Sequence, residues 1–177
     1  MQLKLAAVHK QSVVDGPGVR TVVFAQGCPH HCPGCHNPQT HNPNGGKLVG
    51  VSEVAAEILQ DTFIKNVTFS GGEPFAQAQS FAELAAILKN QNIHLVIYSG
   101  YTYEQLLEKS KTDSAVEKLL AAADLLVDGP YREEQKDLAL LYRGSANQRI
   151  IDVPSSQQCN KIVLSELHFR GRGKNCA

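Results

Sequence analysis

Cys28, Cys32 and Cys35 fall within the run Gly27-Cys-Pro-His-His-Cys-Pro-Gly-Cys-His-Asn-Pro38, a C-x3-C-x2-C spacing. A short loop rich in Pro and Gly can wrap one metal centre and turn three thiolates inward. Iron–sulfur cubanes normally take about four Cys ligands, so three leave one iron open. An open coordination position separates a metal site that binds a further molecule from a structural one. Two other chemistries fit the same residues. A structural zinc could use the three Cys with His30, His31 or His36. The inner Cys32-Pro-Gly-Cys35 matches a dithiol redox pair, but such a pair belongs at the start of a helix. Here Pro38, Asn42, Pro43, Asn44, Gly45 and Gly46 follow, which is loop chemistry.

A second segment, Ser70-Gly-Gly-Glu-Pro74, can act on a small molecule. Two glycines let backbone approach a ligand closely, and Glu73, expected on an exposed loop, offers an acceptor for a cationic amine. The plainer reading is a tight strand-to-helix turn with Pro74 near the helix start. Beside a cluster loop the ligand reading gains weight: an amino acid's ammonium suits Glu73 and backbone carbonyls, and its carboxylate suits an open iron.

These residues need elements to hold them. Thr21 to Ala25 is a compact β-branched and aromatic run, as a buried strand requires. Ser52 can cap a helix with an apolar stripe of Val54, Ile58 and Leu59. Asn66 to Ser70 reads as a strand, and Phe81, Leu84, Ala85 and Leu88 mark the face of a following helix. Ile93 to Tyr98 is a further strand, Asp113 or Ser114 opens a helix through Val116, Leu119 and Leu120, and Asp124 to Asp128 and Arg149 to Val153 are the last strands. This alternation predicts a parallel sheet with right-handed crossovers. The Cys loop, the Ser70–Pro74 turn, Ser99-Gly100-Tyr101 and Gly129-Pro130-Tyr131 each follow a strand, so all four should meet at one mouth.

The chain has 177 residues, enough for one domain that buries about 70% of its unfolded surface. Lys plus Arg equal Asp plus Glu at 17 each, so no net positive field favours nucleic acid or an anionic membrane. No apolar run approaches the ~20 residues of a membrane span. The first residues lack a signal-peptide core, and five Cys without an export signal point to metal or catalytic use. The cytoplasm is the expected location.

Asp15-Gly-Pro-Gly-Val-Arg20, the Cys loop and Ser70-Gly-Gly-Glu-Pro74 together resemble the radical S-adenosylmethionine activases of glycyl radical enzymes. Leu126-Val-Asp-Gly-Pro-Tyr131 and Arg143-Gly-Ser-Ala-Asn-Gln-Arg149 look like the activases of anaerobic ribonucleoside-triphosphate reductase within that group. The resemblance runs from about residue 12 to Val153 and displaces the zinc reading. Many superfamily members carry an aromatic residue just before the third Cys, where this chain has Gly34; a ring appears later, as His36.

Since a complete eight-stranded barrel typically needs ~250 residues, the 177 here predict an incomplete, open parallel β/α barrel of about five or six strands without a lid; the resemblance places it in residues 1–153, followed by a tail of residues 154–177. It implies a [4Fe-4S] cluster on Cys28, Cys32 and Cys35, with S-adenosylmethionine chelating the fourth iron. Gly34, Cys35, His36, Gly71, Gly72, Glu73 and Ser99 would contact that cofactor. One electron, expected from reduced flavodoxin or a similar donor, would break the S–C5′ bond to give a 5′-deoxyadenosyl radical. That radical would take a hydrogen atom from a glycine Cα on the large subunit of the reductase. Asp15, Gly16 and Arg20 would shape the mouth or form a turn with a surface charge, and Asn147 and Arg149 would meet the partner or pair locally. A pyruvate formate-lyase-type activase is the rival enzyme, and a zinc-binding interaction module the rival of another class.

Overall fold

The computed structural model describes residues 1–170. Seven strands form one mixed sheet: β1 (Gln2–Ser12), β2 (Arg20–Ala25), β3 (Lys47–Gly50), β4 (Asn66–Gly71), β5 (His94–Tyr98), β6 (Leu125–Asp128) and β7 (Arg149–Asp152). Their order is β3-β1-β2-β4-β5-β6-β7, with β3 and β7 as edges, so the sheet does not close. Strands β2, β4, β5 and β6 run parallel. The outer pairings of β1 with β2, β1 with β3 and β6 with β7 are antiparallel.

Five helices accompany the sheet: α1 (Val51–Leu59), α2 (Ala78–Lys89), α3 (Tyr103–Ser110), α4 (Ser114–Ala122) and α5 (Val153–Cys159). Alternation along the strands creates two faces. Val23, Val67, Phe69, Leu95, Ile97, Leu126 and Ile151 share the main core with the apolar stripes of α1, α2 and α4. Phe69 and Phe81 pin α2 to β4, with ring centroids 4.8 Å apart. The opposite face carries a smaller cluster of Val96, Leu125, Val127 and Ile150, against which Tyr98, Tyr142 and Leu167 rest.

Several expectations change. The sheet has seven strands rather than five or six, because β1 and β3 add an antiparallel margin. Leu3 and Leu5 alternate with Gln2 and Lys4, the period of a half-buried strand, and both leucines are buried. Strand β7 is antiparallel because the connection from β6 re-enters the sheet at the end it left, placing Arg149 opposite Asp128. The residue before α1 is Gly50, whose N–H donates to Glu53 Oε2 at 3.1 Å, so Ser52 lies inside the helix instead of capping it. Asp113 does cap α4, accepting from Ala115 N and Val116 N. Helix α3 is an addition, opened by the capping box of Thr102 and Gln105.

Beyond Val153 the described chain folds back onto the sheet. Asp152 caps α5 by accepting from Ser155 N at 2.8 Å, and Leu164 bridges to Ile151. His168 Nδ1 then accepts from Ile150 N at 3.2 Å, and the carbonyl of His168 accepts from Arg143 at 2.6 Å. Residues 154–170 therefore buttress β7. Cys159 lies exposed at the end of α5, while Cys176 and the basic run beyond Arg170 lie outside the described residues.

Candidate active site

The parallel strands deliver their following loops to one end of the sheet, as their order requires. Backbone hydrogen bonds weld the first two loops together. Gly72 N donates to Ala25 O at 2.8 Å and Glu73 N to Gly27 O at 2.9 Å. Gly27 N and Cys28 N in turn donate to Thr40 O and His41 O, which close the long Cys loop on itself. Gly71 has φ +91°, and a Cβ there would stand 2.8 Å from the backbone of Phe24 and Ala25. Only glycine allows β4 to turn this close to β2.

A cavity of about 310 Å³ opens between these loops. Cys28, Cys32, Cys35 and His36 line it together with Gly71, Gly72 and Ser99. Gly34 and Glu73 are not in its wall. Gly34 sits at φ +71° behind the loop, where a Cβ would meet the Glu133 carboxylate at 2.8 Å. Glu73 differs most from its expected place on an exposed loop: its side chain has no exposed surface. Its carboxylate accepts from Phe75 N, Ser99 Oγ, Gly100 N and His30 Nε2, all within about 3 Å.

The three thiols are partly buried and none is in a disulfide. Burial pushes the Cys28 and Cys32 thiols up from their ordinary value; backbone N–H groups of His30 and His31 at Cys28, and of Tyr131 at Cys32, oppose it. Asn37 N donates to Cys35 Sγ at 3.4 Å. Such N–H donors are suited to negative sulfur, as in thiolate-bound clusters. Among the described residues no three His, Cys, Asp or Glu side chains converge as a set for a single metal ion. Ligands to separate irons of a cluster need not close on one point, and three thiols lining one cavity suit such a cluster.

Sequence reasoning missed the cover of this cavity. The connection at residues 129–148 crosses the Cys loop, so the open mouth expected from the sequence is partly roofed. Tyr131, Gly144 and Gln148 line the cavity from that segment, and the Tyr131 ring lies 5.0 Å from that of His36. Gly129-Pro130-Tyr131 was the readable signal; nothing in the sequence placed Gly144 opposite it.

Arg20, Asn147 and Arg149 are tied into the fold. Arg20 is a fully buried residue rather than a surface charge. It donates to Thr68 Oγ1 at 2.6 Å, to Val67 O at 2.9 Å and to Pro17 O. The Asp15–Arg20 turn is thereby tied to β4, and Asp15 reaches the cavity wall. Arg149 pairs with Asp128 and with Glu104, and Asn147 Nδ2 donates to Pro130 O at 2.8 Å. Asp128 is buried and accepts from Tyr103 N at 2.7 Å, away from the cavity wall.

Comparison with known proteins agrees with this geometry. The family described as a 4Fe-4S single cluster domain matches residues 14–151. The chain is 36% identical over 147 residues to an anaerobic ribonucleoside-triphosphate reductase-activating protein of Vibrio cholerae, covering 78% of this chain and 90% of that protein. It is 31% identical over 149 residues to the protein of that name from Enterobacteria phage T4, covering 81% and 90%. A pyruvate formate-lyase-activating enzyme of Clostridium pasteurianum is 39% identical over 114 residues, and the chain spans only 48% of its length.

Proposed function

This chain belongs to the 4Fe-4S single cluster domain family and, within it, to the glycyl-radical-enzyme activases, and we propose that its substrate is an anaerobic ribonucleoside-triphosphate reductase. The observation that carries the reading is the shared cavity, lined both by the three thiols and by the Gly71-Gly72 turn. The reductase-activating relatives are covered over 90% of their length and the pyruvate formate-lyase-activating one over 48%, which favours the reductase as partner.

Cys28, Cys32 and Cys35 would hold a [4Fe-4S] cluster with one iron open to S-adenosylmethionine. A cluster held there would supply the one-electron reduction that splits the S–C5′ bond of S-adenosylmethionine, releasing methionine and leaving the adenosyl carbon able to take hydrogen from a glycine Cα, with a flavodoxin-like donor as the expected electron source. The protein's share is placement and exclusion of water. Gly71 and Gly72 keep the wall free of side chains where the methionine end would lie. Ser99 and the backbone of Cys35 offer polar contacts, and His36 backed by Tyr131 offers a flat surface for the adenine. Donors to the sulfurs from His30, His31, Tyr131 and Asn37 temper the negative charge that the site carries. The open sheet is that of an incomplete barrel of radical S-adenosylmethionine type, and residues 1–153 hold all of the proposed site. No helix of the described residues is long and apolar enough to cross a membrane, and chemistry on free thiols suits the reducing cytoplasm.

Reduced, cluster-loaded protein mixed with S-adenosylmethionine and the reductase should give a doublet glycyl radical signal by electron paramagnetic resonance. The signal should vanish when the acceptor glycine of the partner is replaced by Ala. A colourless protein carrying one zinc after anaerobic reconstitution would overturn this function.

A further inference from the structure

The spacer between the first two Cys residues contains a side chain directed inward. His30 lies two residues after Cys28, and its side chain is 16% exposed. With the proton on Nε2, its imidazole donates to Glu73 Oε2 at 2.8 Å. The ring stands edge-on to Tyr101, centroids 4.4 Å apart, and passes so close to Gly100 that a Cβ there would lie 2.4 Å from it.

Glu73 has its acceptor capacity filled from within the protein. Oε1 accepts from Phe75 N and Ser99 Oγ, both at 3.0 Å. Oε2 accepts from Gly100 N at 2.9 Å as well as from His30. An ionised carboxylate has about four lone-pair directions, and these four donors use them. His30, Ser99 and Gly100 line the cavity, whereas Glu73 lies behind them. A cofactor ammonium would have to displace one of these donors from a fully buried oxygen, an unfavourable exchange.

We propose that His30 is a positioning residue which, through Glu73, locks the Cys loop to the loops after β4 and β5 and so sets the wall that receives S-adenosylmethionine. Glu73 is the hub of that lock rather than a contact to the ammonium. His30 is two residues from each of Cys28 and Cys32, so its tether governs how both thiols face the cavity. Loss of the imidazole leaves a buried carboxylate one donor short and frees Gly100 and Ser99 to shift.

This inference rests on the proposed function, and the test separates the two. Wild-type, His30→Ala and His30→Gln proteins are reconstituted anaerobically, assayed for iron and sulfide, and titrated with S-adenosylmethionine by equilibrium dialysis. His30→Ala should keep most of its iron yet bind S-adenosylmethionine about tenfold more weakly, the scale of a lost hydrogen bond to a charged group. His30→Gln, which retains an N–H of similar reach, should recover most of that affinity. A His30→Ala,Glu73→Ala protein should be no weaker than the weaker single variant, since both changes break one link. Loss of iron from the Ala variant with rescue by Gln also supports the lock. Unchanged affinity in His30→Ala overturns it, and so does tighter binding, which would make His30 a competitor for an ammonium on Glu73. Loss of iron from both single His30 variants overturns it too, by making His30 a ligand or a folding residue. Iron-loaded wild-type protein that binds no S-adenosylmethionine would overturn the proposed function and this inference with it.

Discussion

A side-chain carbon on Gly72 would stand 2.3 Å from the carbonyl oxygen of Gly27, the residue before Cys28. The second glycine of the Gly71-Gly72 turn therefore has two tasks. It keeps the cavity wall bare, and it lets the turn after β4 lie directly on the start of the Cys loop. Gly72→Ala should push these loops apart, costing about 1–3 kcal/mol as an overpacked contact does. Iron uptake should fall along with S-adenosylmethionine binding. Gly129 is the control: it has φ +95° but open space around its Cβ position, with nothing nearer than 3.7 Å. Gly129→Ala should cost about 1–2 kcal/mol of backbone strain and leave iron content intact. Chemical denaturation with parallel iron analysis checks both; full iron in Gly72→Ala would leave only the cavity-wall task.

The cluster ligands should separate cleanly from the remaining described thiol. Cys28→Ala, Cys32→Ala and Cys35→Ala should each abolish S-adenosylmethionine cleavage. Cys159, exposed at the end of α5, should be replaceable by Ala with iron content and cleavage nearly unchanged. Loss of the cluster in Cys159→Ala would remove the basis for an open iron.

The parts of this site that follow local rules were legible in the sequence. The Cys spacing, the paired glycines and the strand-to-loop alternation are all short-range patterns, and they led to one mouth formed by four loops. What escaped depends on partners distant in sequence. Glu73 reads as an exposed turn carboxylate until His30 and Ser99 arrive from the two neighbouring loops. Arg20 reads as a surface charge until Thr68 and Val67 of β4 supply its acceptors. The margin strands β1 and β3 show only a short alternation, and the direction of β7 is set by where residues 129–148 re-enter the sheet. Helix α3 was different, since Thr102 and Gln105 display a capping box that local reading could have used.

The Arg149 guanidinium holds the Glu104 carboxyl down to about 2, chiefly through the side-chain hydrogen bond between them. A carboxyl depressed in the folded state contributes stability above its unfolded value of about 4. That contribution is lost as pH falls from there toward the folded value. Glu104 is 57% exposed in its side chain, so solvent screens much of the effect. Thermal melts from pH 6 to pH 2 should show a slightly shallower acid decline in Glu104→Gln than in wild type. Parallel curves would mean that Asp128 alone holds Arg149.

Arg20 should be needed for folding and not for chemistry. It is wholly buried, and its guanidinium serves Pro17, Val67 and Thr68 without an ion-pair partner among the described residues. Burial lowers its pKa to about 10, with nearby Tyr and Asp groups acting the other way. Arg20→Ala removes the charge but strands buried acceptors and leaves a void, so the expected loss is about 3–5 kcal/mol. Denaturant unfolding measures it; a loss below about 1 kcal/mol, the range of ordinary surface changes, would show the turn to be held by something else.

The roof over the cavity gives the last expectation. A Cβ on Gly144 would meet the Tyr131 ring at 2.9 Å and the His36 ring at 3.1 Å. Both rings belong to the wall assigned to the adenine, and Gly144 has ordinary backbone angles, with no positive φ to strain a replacement. Gly144→Ala should therefore act by displacing rings, with little intrinsic backbone penalty. Tyr131 sits on a connection without helix or sheet at that point, so it can yield at modest cost in stability. The expected result is weaker S-adenosylmethionine binding with near-normal iron content and a small shift in melting temperature. Tyr131→Leu should weaken binding in the same direction by removing the surface behind His36. If both variants bind S-adenosylmethionine like wild type, residues 129–148 cover the Cys loop without touching the cofactor, and the adenine must lie against another wall.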